Sequence, residues 1–305
     1  MADEYSCELC PRSCGVNRGE RKGAGYCKES AELRIAFAGL HQGEEPVLTG
    51  AHGSGTVFVS GCNLGCNFCQ NHQINGRAAP ALGRAVNEEE FTGICAALQE
   101  RGAANINIVT GSHAIPALAR VIRAARDGIA VPFLWNSSAY EKETSLRMLG
   151  GLVDIFLPDL KTLDSDLAGR YFNAPDYPKV AAAAVLRMIQ LAEATSARVI
   201  VRHLVLPGEL ASTRQVLRWF AENAVNRALL SLLFQFTPCA DAPSRPVNKK
   251  EYDQVIGWLE EFGIEDGFCQ NLTDENTGWL PDFEKSNPFP SDLSIPVWHW
   301  RDGFI

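Results

Sequence analysis

The stretch TVFVSGCNLGCNFCQN (56–71) sets a run of apolar and β-branched residues directly against three cysteines, Cys62, Cys66 and Cys69, spaced CxxxCxxC. The run reads as a short buried strand, and the cysteines as the loop leaving its C-terminal end. Three thiols this close suit a soft or borderline metal, with zinc and an iron–sulfur cluster as the guests such ligands select. A closed structural zinc site needs a fourth ligand, and His72 is the nearest candidate. A cubane held by three thiolates instead leaves one iron open, and an open metal position is where chemistry can occur.

Outward from this stretch the chain alternates apolar strands with amphipathic or alanine-rich helices, the pattern of βα units around a parallel sheet. Strands are expected at 56–60, 105–110, 131–136, 153–159, 197–205 and 229–236, and helices near 88–101, 116–127, 141–149, 178–195, 212–223 and 249–262. Asn87 ahead of Glu88, Glu89 and Glu90 carries a helix-start signal. Six such units joined by right-handed crossovers give either an open doubly wound sheet or a partly closed barrel. In both, the C-terminal ends of the strands are where active sites are assembled, and the cysteine loop falls there. The chain divides into a Cys-rich, metal-binding segment at 1–45, a core at 50–275 and an irregular tail at 276–305 rich in Pro, Asp and aromatic residues.

A net charge of −8 over 305 residues argues against a nucleic-acid partner, because phosphate binding depends on clustered Lys and Arg. No run of about 18 apolar residues is present to span a bilayer. The N-terminus MADEYSCELC has neither the basic start nor the apolar stretch of a signal peptide, so a cytoplasmic protein is expected. Ten cysteines in that compartment read as metal ligands or core residues rather than as disulfides. Cys95, Cys239 and Cys269 stand alone, and a lone Cys is usually a small buried hydrophobe.

Cys62, Cys66, Phe68 and Cys69 together match CxxxCxΦC with an aromatic at Φ, and so resemble the signature of the radical SAM superfamily. The stretches LPDLKT (157–162), VIVRHLVLPG (199–208), WNSSAYE (135–141) and FQFTP (234–238), with CPRSCGVNR (10–18), resemble a branch of its pyruvate formate-lyase-activating-enzyme group. The resemblance implies a partial (βα)6 TIM-like barrel with a small N-terminal Cys-rich segment, an α/β fold. It also implies a [4Fe–4S] cluster on the three cysteines, with S-adenosylmethionine (SAM) chelating the open iron. Reductive cleavage of SAM would give a 5′-deoxyadenosyl radical that abstracts hydrogen from a protein substrate, with the glycyl residue of a partner enzyme as the candidate. A flavodoxin- or ferredoxin-type donor would supply the electron. Radical modification of a peptide side chain or a small metabolite is the alternative, and a non-catalytic zinc-binding protein the third reading.

The same resemblance assigns SAM contacts. Asp159 and Lys161 would meet the methionine carboxylate region, where opposite charges suit a zwitterion. Arg202 would face the interior with an anionic partner such as SAM, since an unpaired buried guanidinium is costly. Its neighbour His203 would then point away, because alternate side chains of a strand face opposite ways. Thr110, Gly111 and Ser112 occupy the place where much of the superfamily carries a GGEP-like turn for the methionyl amine, without its Glu, and His113 follows. Asn136, Ser137 and Ser138 are suited to ribose hydroxyls or to capping the helix that follows.

A second cluster, Cys7, Cys10, Cys14 and Cys27, offers four thiolates, enough for a tetrahedral zinc or an auxiliary iron–sulfur cluster. Glycine-rich loops around the CxxC tilt the expectation toward zinc.

Overall fold

The computed structural model describes residues 7–19, 23–238, 243–272 and 280–305, and Cys239 lies outside them. Its strands are β1 (Arg34–His41), β2 (Ser54–Val59), β3 (Arg84–Ala85), β4 (Ile106–Val109), β5 (Phe133–Ser137), β6 (Ile155–Pro158), β7 (Arg198–Leu204), β8 (Leu229–Leu233), β9 (Gly267–Cys269), β10 (Ser294–His299) and β11 (Gly303–Phe304). The helices are α1 (Pro46–Thr49), α2 (Glu88–Glu100), α3 (Ile115–Ala125), α4 (Glu143–Leu146), α5 (Ser165–Phe172), α6 (Tyr177–Thr195), α7 (Leu210–Asn223) and α8 (Lys249–Glu261).

All six expected strands form, and each pairs in parallel with the next in the order β2-β4-β5-β6-β7-β8. Every residue of β2, β4, β5 and β6 is buried, as a parallel strand covered on both faces requires. The helices other than α1 pack outside this sheet. Asn87 caps α2 as expected, its side chain accepting the Glu90 N–H at 2.8 Å. Asn248 and Glu251 close a reciprocal capping box on α8.

The sheet curls on itself, so that the Glu44–Glu45 segment after β1 hydrogen-bonds to Arg202 on β7 and to Ser231 on β8. Leu48 of α1 enters this curl and packs with Leu134, Ile155, Leu157 and Ile200. That apolar group lies near the N-terminal ends of β5 to β7 and plugs the partial barrel there, leaving the C-terminal ends open to a cavity.

Two regions are more regular than the sequence implies. Residues 34–41, within the stretch assigned to the Cys-rich segment, form β1, a buried strand antiparallel to β2. The C-terminal tail, expected to be irregular, returns as β10 on the other edge of β1 and turns back as β11. Phe283 and Phe289 ahead of β10 stack on Phe58 of β2, with ring centroids 5.3 and 5.6 Å apart. At the opposite edge, the short β9 extends the parallel sheet beyond β8.

Candidate active site

A cavity of about 680 Å³ opens at the C-terminal ends of the parallel strands, a volume within the range of cofactor sites. Cys62, Cys66 and Cys69 all lie on its wall, beside Phe68, Thr110, Asn136, Ser138, Asp159, Lys161 and Arg202. The fold therefore brings most of the residues singled out by sequence into one chamber.

The chain enters the cysteine loop through Gly61, at φ +89°. A Cβ there would sit 2.4 Å from Glu29 Cγ and 2.8 Å from His113 Nε2, so both the backbone conformation and the close approach call for glycine. Beyond it, the Leu64 and Gly65 N–H groups donate to Cys62 Sγ at 3.3 and 3.4 Å. Burial pushes the Cys69 thiol up to about 11 and the neighbouring Cys62 adds to this, while the Asn75 side chain and Asn71 backbone favour its thiolate. Burial likewise raises Cys66, against the pull of Lys161. Phe68 fixes the loop between two of the cysteines by packing edge-on against Tyr171, Phe172 and Phe236.

The donor set fits an iron–sulfur cluster. Cys62, Cys66 and Cys69 stand on one cavity wall, and a cubane that takes one thiolate per iron would keep one iron open toward that cavity. His72, the candidate fourth ligand of a zinc site, is exposed and off the cavity wall.

The next strand ends supply the polar wall. Thr110 holds φ +64°, a strained conformation for a β-branched residue, and donates its N–H to Asn136 O at 2.9 Å. Gly111 and Ser112 sit behind the wall. A Cβ on Gly111 would strike Leu118 and Trp135, and the Ser112 hydroxyl donates to Glu141 at 2.8 Å. Lys161 Nζ donates to Asp159 Oδ2 at 2.5 Å. Burial alone would lower this ammonium, but the Asp159 carboxylate more than offsets it and holds Lys161 charged.

Arg202 faces inward, yet its partners belong to the chain. Its Nε and Nη2 donate to Glu45 at 2.6 Å each, and Nη2 also reaches Glu44. Glu45 accepts Ser231 Oγ at 2.7 Å and Glu44 accepts Asn107 Nδ2 at 2.9 Å. The expected SAM anion is therefore not needed to neutralise this guanidinium. His203 points away, bridging Leu160 O at 2.8 Å and Thr213 Oγ1 at 3.0 Å, and burial pushes it down to about 4. His113 is also off the wall. Its Nε2–H donates to Ser60 O at 2.7 Å, holding the strand just before the cysteine loop, and burial followed by the nearby Arg18 pushes it down to about 3.

Three participants escaped the sequence reading. Glu44 and Glu45, one pair of carboxylates, were given no role by sequence, and only the curl of the sheet carries them to Arg202. Tyr177, the first residue of α6, joins the ends of β5 and β6: its hydroxyl is shared between Ser138 O at 2.9 Å and Asp159 O at 2.8 Å, and it accepts the Lys161 N–H at 3.0 Å. Tyr177→Phe leaves that buried N–H without a partner, so a loss of about 1–3 kcal/mol in urea unfolding is expected, with weaker SAM binding.

Glu141 is the third. Its buried carboxylate accepts Ser112 Oγ, Trp135 Nε1 at 2.9 Å and Ser137 Oγ at 3.0 Å, tying the loops after β4 and β5 together. Burial pushes this carboxyl up, and the three donors offset it only in part. A raised acid favours its neutral form in the fold, so ionising it costs stability as pH rises through its folded value. Glu141→Gln keeps neutral partners for all three groups, and its melting point at pH 7 is expected to match or exceed the parent. Glu141→Ala is expected to lose about 2–4 kcal/mol.

A family model described as the radical SAM superfamily matches residues 56–220, from β2 into α7. An uncharacterized protein of Methanocaldococcus jannaschii is 28% identical over 269 residues, covering 85% of this chain and 76% of its own. Among solved structures, SuiB of Streptococcus suis superposes with a TM-score of 0.51 at 11% identity, over 69% of this chain and 47% of its own. Methylornithine synthase (PylB) superposes with a TM-score of 0.51 at 13% identity, over 68% and 60%. The chain thus spans about half the length of SuiB, and at these identities the likeness is one of fold.

Proposed function

Since the chain belongs to the radical SAM superfamily, we propose that it is a radical SAM enzyme acting on a protein substrate, similar to the pyruvate formate-lyase-activating enzymes. The observation that carries this reading is the presence of three cysteine thiols and the Asp159–Lys161 pair on one cavity wall at the C-terminal strand ends. Cys62, Cys66 and Cys69 would hold a [4Fe–4S] cluster, which would supply the reducing electron for cleavage of SAM.

The chain's own residues would do the holding. Lys161 would pair with the methionine carboxylate and Asp159 would accept a hydrogen bond from the methionyl amine, giving up part of their own ion pair to the ligand. Asn136 and Ser138 offer hydroxyl and amide groups to the ribose. Thr110, turned by its positive φ, offers its side chain at the place of the missing acidic residue. The apolar wall of Phe58, Phe68, Val109 and Phe289 excludes water from a reactive intermediate.

A macromolecular substrate is in keeping with where the cavity opens. Gly267, Cys269 and Asn271 are both wall residues and exposed, so the chamber reaches the surface along β9 at the sheet edge. The reading extends to a glycyl-radical enzyme as partner, to a flavodoxin- or ferredoxin-type donor, to a cytoplasmic site of action and to a second metal, zinc or iron–sulfur, at Cys7, Cys10, Cys14 and Cys27. No helix among the described residues is long and apolar enough to cross a membrane.

The test uses the reduced, cluster-loaded protein with SAM and a candidate glycyl-radical enzyme deuterated at glycine Cα. Deuterium in the 5′-deoxyadenosine and a glycyl radical signal are expected. Cleavage of SAM without deuterium transfer from any glycine would overturn the glycyl assignment and leave peptide or metabolite modification.

A further inference from the structure

The segment that carries the four N-terminal cysteines is hydrogen-bonded to the loop of Cys62 and Cys66. Cys7, Cys10 and Cys27 are buried, and the chain folds around them through the Cys7 N–H to Val16 O, Gly15 N–H to Cys7 O and Ser13 N–H to Cys10 O bonds. Their sulfurs are aimed at by donors in the manner of the catalytic loop. The Tyr26 N–H donates to Cys14 Sγ at 3.3 Å; burial pushes the Cys10 and Cys27 thiols up, and the Arg12 backbone and Asn63 side chain at Cys10, and Arg18 and the Glu29 backbone at Cys27, offset this only in part. Hydrogen bonds to sulfur are what metal-bound thiolates collect, and neutral buried thiols have little use for them. Cys10 lies near both Cys7 and Cys14, and Cys27 near Cys10 and Cys7.

The same segment grips the loop that carries Cys62 and Cys66. The Arg12 guanidinium donates to Asn63 O at 3.0 Å, Leu64 O at 3.3 Å, Phe172 O at 3.0 Å and Asn173 O at 2.6 Å, while stacking 3.8 Å from the Tyr26 ring centroid. Tyr26 Oη donates to Leu64 O at 3.0 Å. Arg18, which is buried, donates to His113 O at 2.5 Å, and His113 in turn holds Ser60. Arg12 lies between two of the four cysteines, and Tyr26 immediately precedes the last of them. The position of both side chains is therefore set by whatever fixes those thiols.

We propose that Cys7, Cys10, Cys14 and Cys27 hold a second thiolate-bound metal centre, and that this centre locks Arg12 and Tyr26 into a clamp on the catalytic loop. The occupant expected is an iron–sulfur cluster, whose sulfur ligands collect hydrogen bonds of this kind, rather than the zinc favoured by the glycine-rich sequence. The centre itself is independent of what Cys62, Cys66 and Cys69 bind; the clamp rests on the cluster assigned to them above.

The test compares anaerobically reconstituted full-length protein with three variants: Cys62→Ala/Cys66→Ala/Cys69→Ala, Cys10→Ser/Cys27→Ser, and Arg12→Ala. The triple variant is expected to keep stoichiometric iron and sulfide. Stoichiometric zinc in it would overturn the cluster as occupant, and no bound metal would overturn the site, whether or not the wild type cleaves SAM. Arg12→Ala is expected to keep the second centre but to lose the SAM-responsive cluster to a chelator several-fold faster than wild type. Equal rates would overturn the clamp. Cys10→Ser/Cys27→Ser should show the same acceleration, and Arg12→Ala carries that arm if the double variant does not fold.

Discussion

Cys66→Ala is expected to abolish formation of 5′-deoxyadenosine from SAM, by on the order of 10³-fold or more, a loss of at least about 4 kcal/mol in transition-state terms. Cys66 stands on the cavity wall between Cys62 and Phe68–Cys69, with Lys161 close enough to favour its thiolate. Each of the three thiolates is assigned one iron, so removing one strips the cluster of an anchor rather than weakening a contact. The same loss is expected at Cys62 and Cys69. Cys95→Ala provides the contrast. Cys95 is fully buried on α2 among apolar side chains, away from the cavity, and its replacement should lower stability modestly while leaving the reaction intact. An active Cys66→Ala enzyme, or an inactive but folded Cys95→Ala enzyme, would contradict this division of roles.

Arg202→Met is expected to be the most destabilising single change at the site, by about 3–5 kcal/mol, because it leaves two carboxylates buried without their cation. The side chains of Arg202, Glu44 and Glu45 are 12%, 10% and 2% exposed, so water can do little to compensate. Burial alone would push the Glu45 carboxyl up, and the Arg202 charge outweighs it to hold the carboxyl low. An acid depressed in the fold contributes stability above its unfolded value and gives it up as pH falls through the folded one. In wild type this cluster therefore favours the fold at neutral pH and fails only in acid. In Arg202→Met the sign reverses: Glu45 is raised by burial, protonation relieves the cost, and the variant should gain stability relative to wild type as pH falls from 7 toward 5. Adding Glu45→Gln should restore part of the loss at pH 7. Urea melts of the three proteins across that pH range check all of this, and a variant whose deficit is independent of pH would show that the carboxylates are not the cause.

The arrangement was legible in the sequence where it depends on local pattern. The parallel strands announce themselves because a strand buried on both faces must be apolar throughout, and TVFV, NIV and DIFLP leave no other reading. The cysteine loop and Asp159–Lys161 were found because each packs several chemically distinctive residues into a few positions. What local pattern could not supply is the partner across space. Arg202 was placed correctly inside the barrel, but its anions arrive from a loop 157 residues away, and nothing in QGEEPV says that it bends into the lumen. Tyr177 and Glu141 carry no local motif; Tyr177 matters for the backbone groups it bridges and Glu141 for the side chains of Ser112, Trp135 and Ser137 that it ties together. Strands β1 and β10 were missed because alanine, glycine and proline dilute their β character, and because their pairing joins the two ends of the chain.

The central claim is that Cys62, Cys66 and Cys69 hold a redox cluster that cleaves SAM. It is tested most directly by reconstituting the full chain with iron and sulfide under anaerobic conditions, reducing it, adding SAM and measuring 5′-deoxyadenosine, with metal analysis on the same sample. The account predicts about four irons and as much sulfide attributable to these three cysteines, lost in their triple alanine variant, and stoichiometric 5′-deoxyadenosine. A colourless protein that binds zinc without sulfide and leaves SAM intact would contradict it.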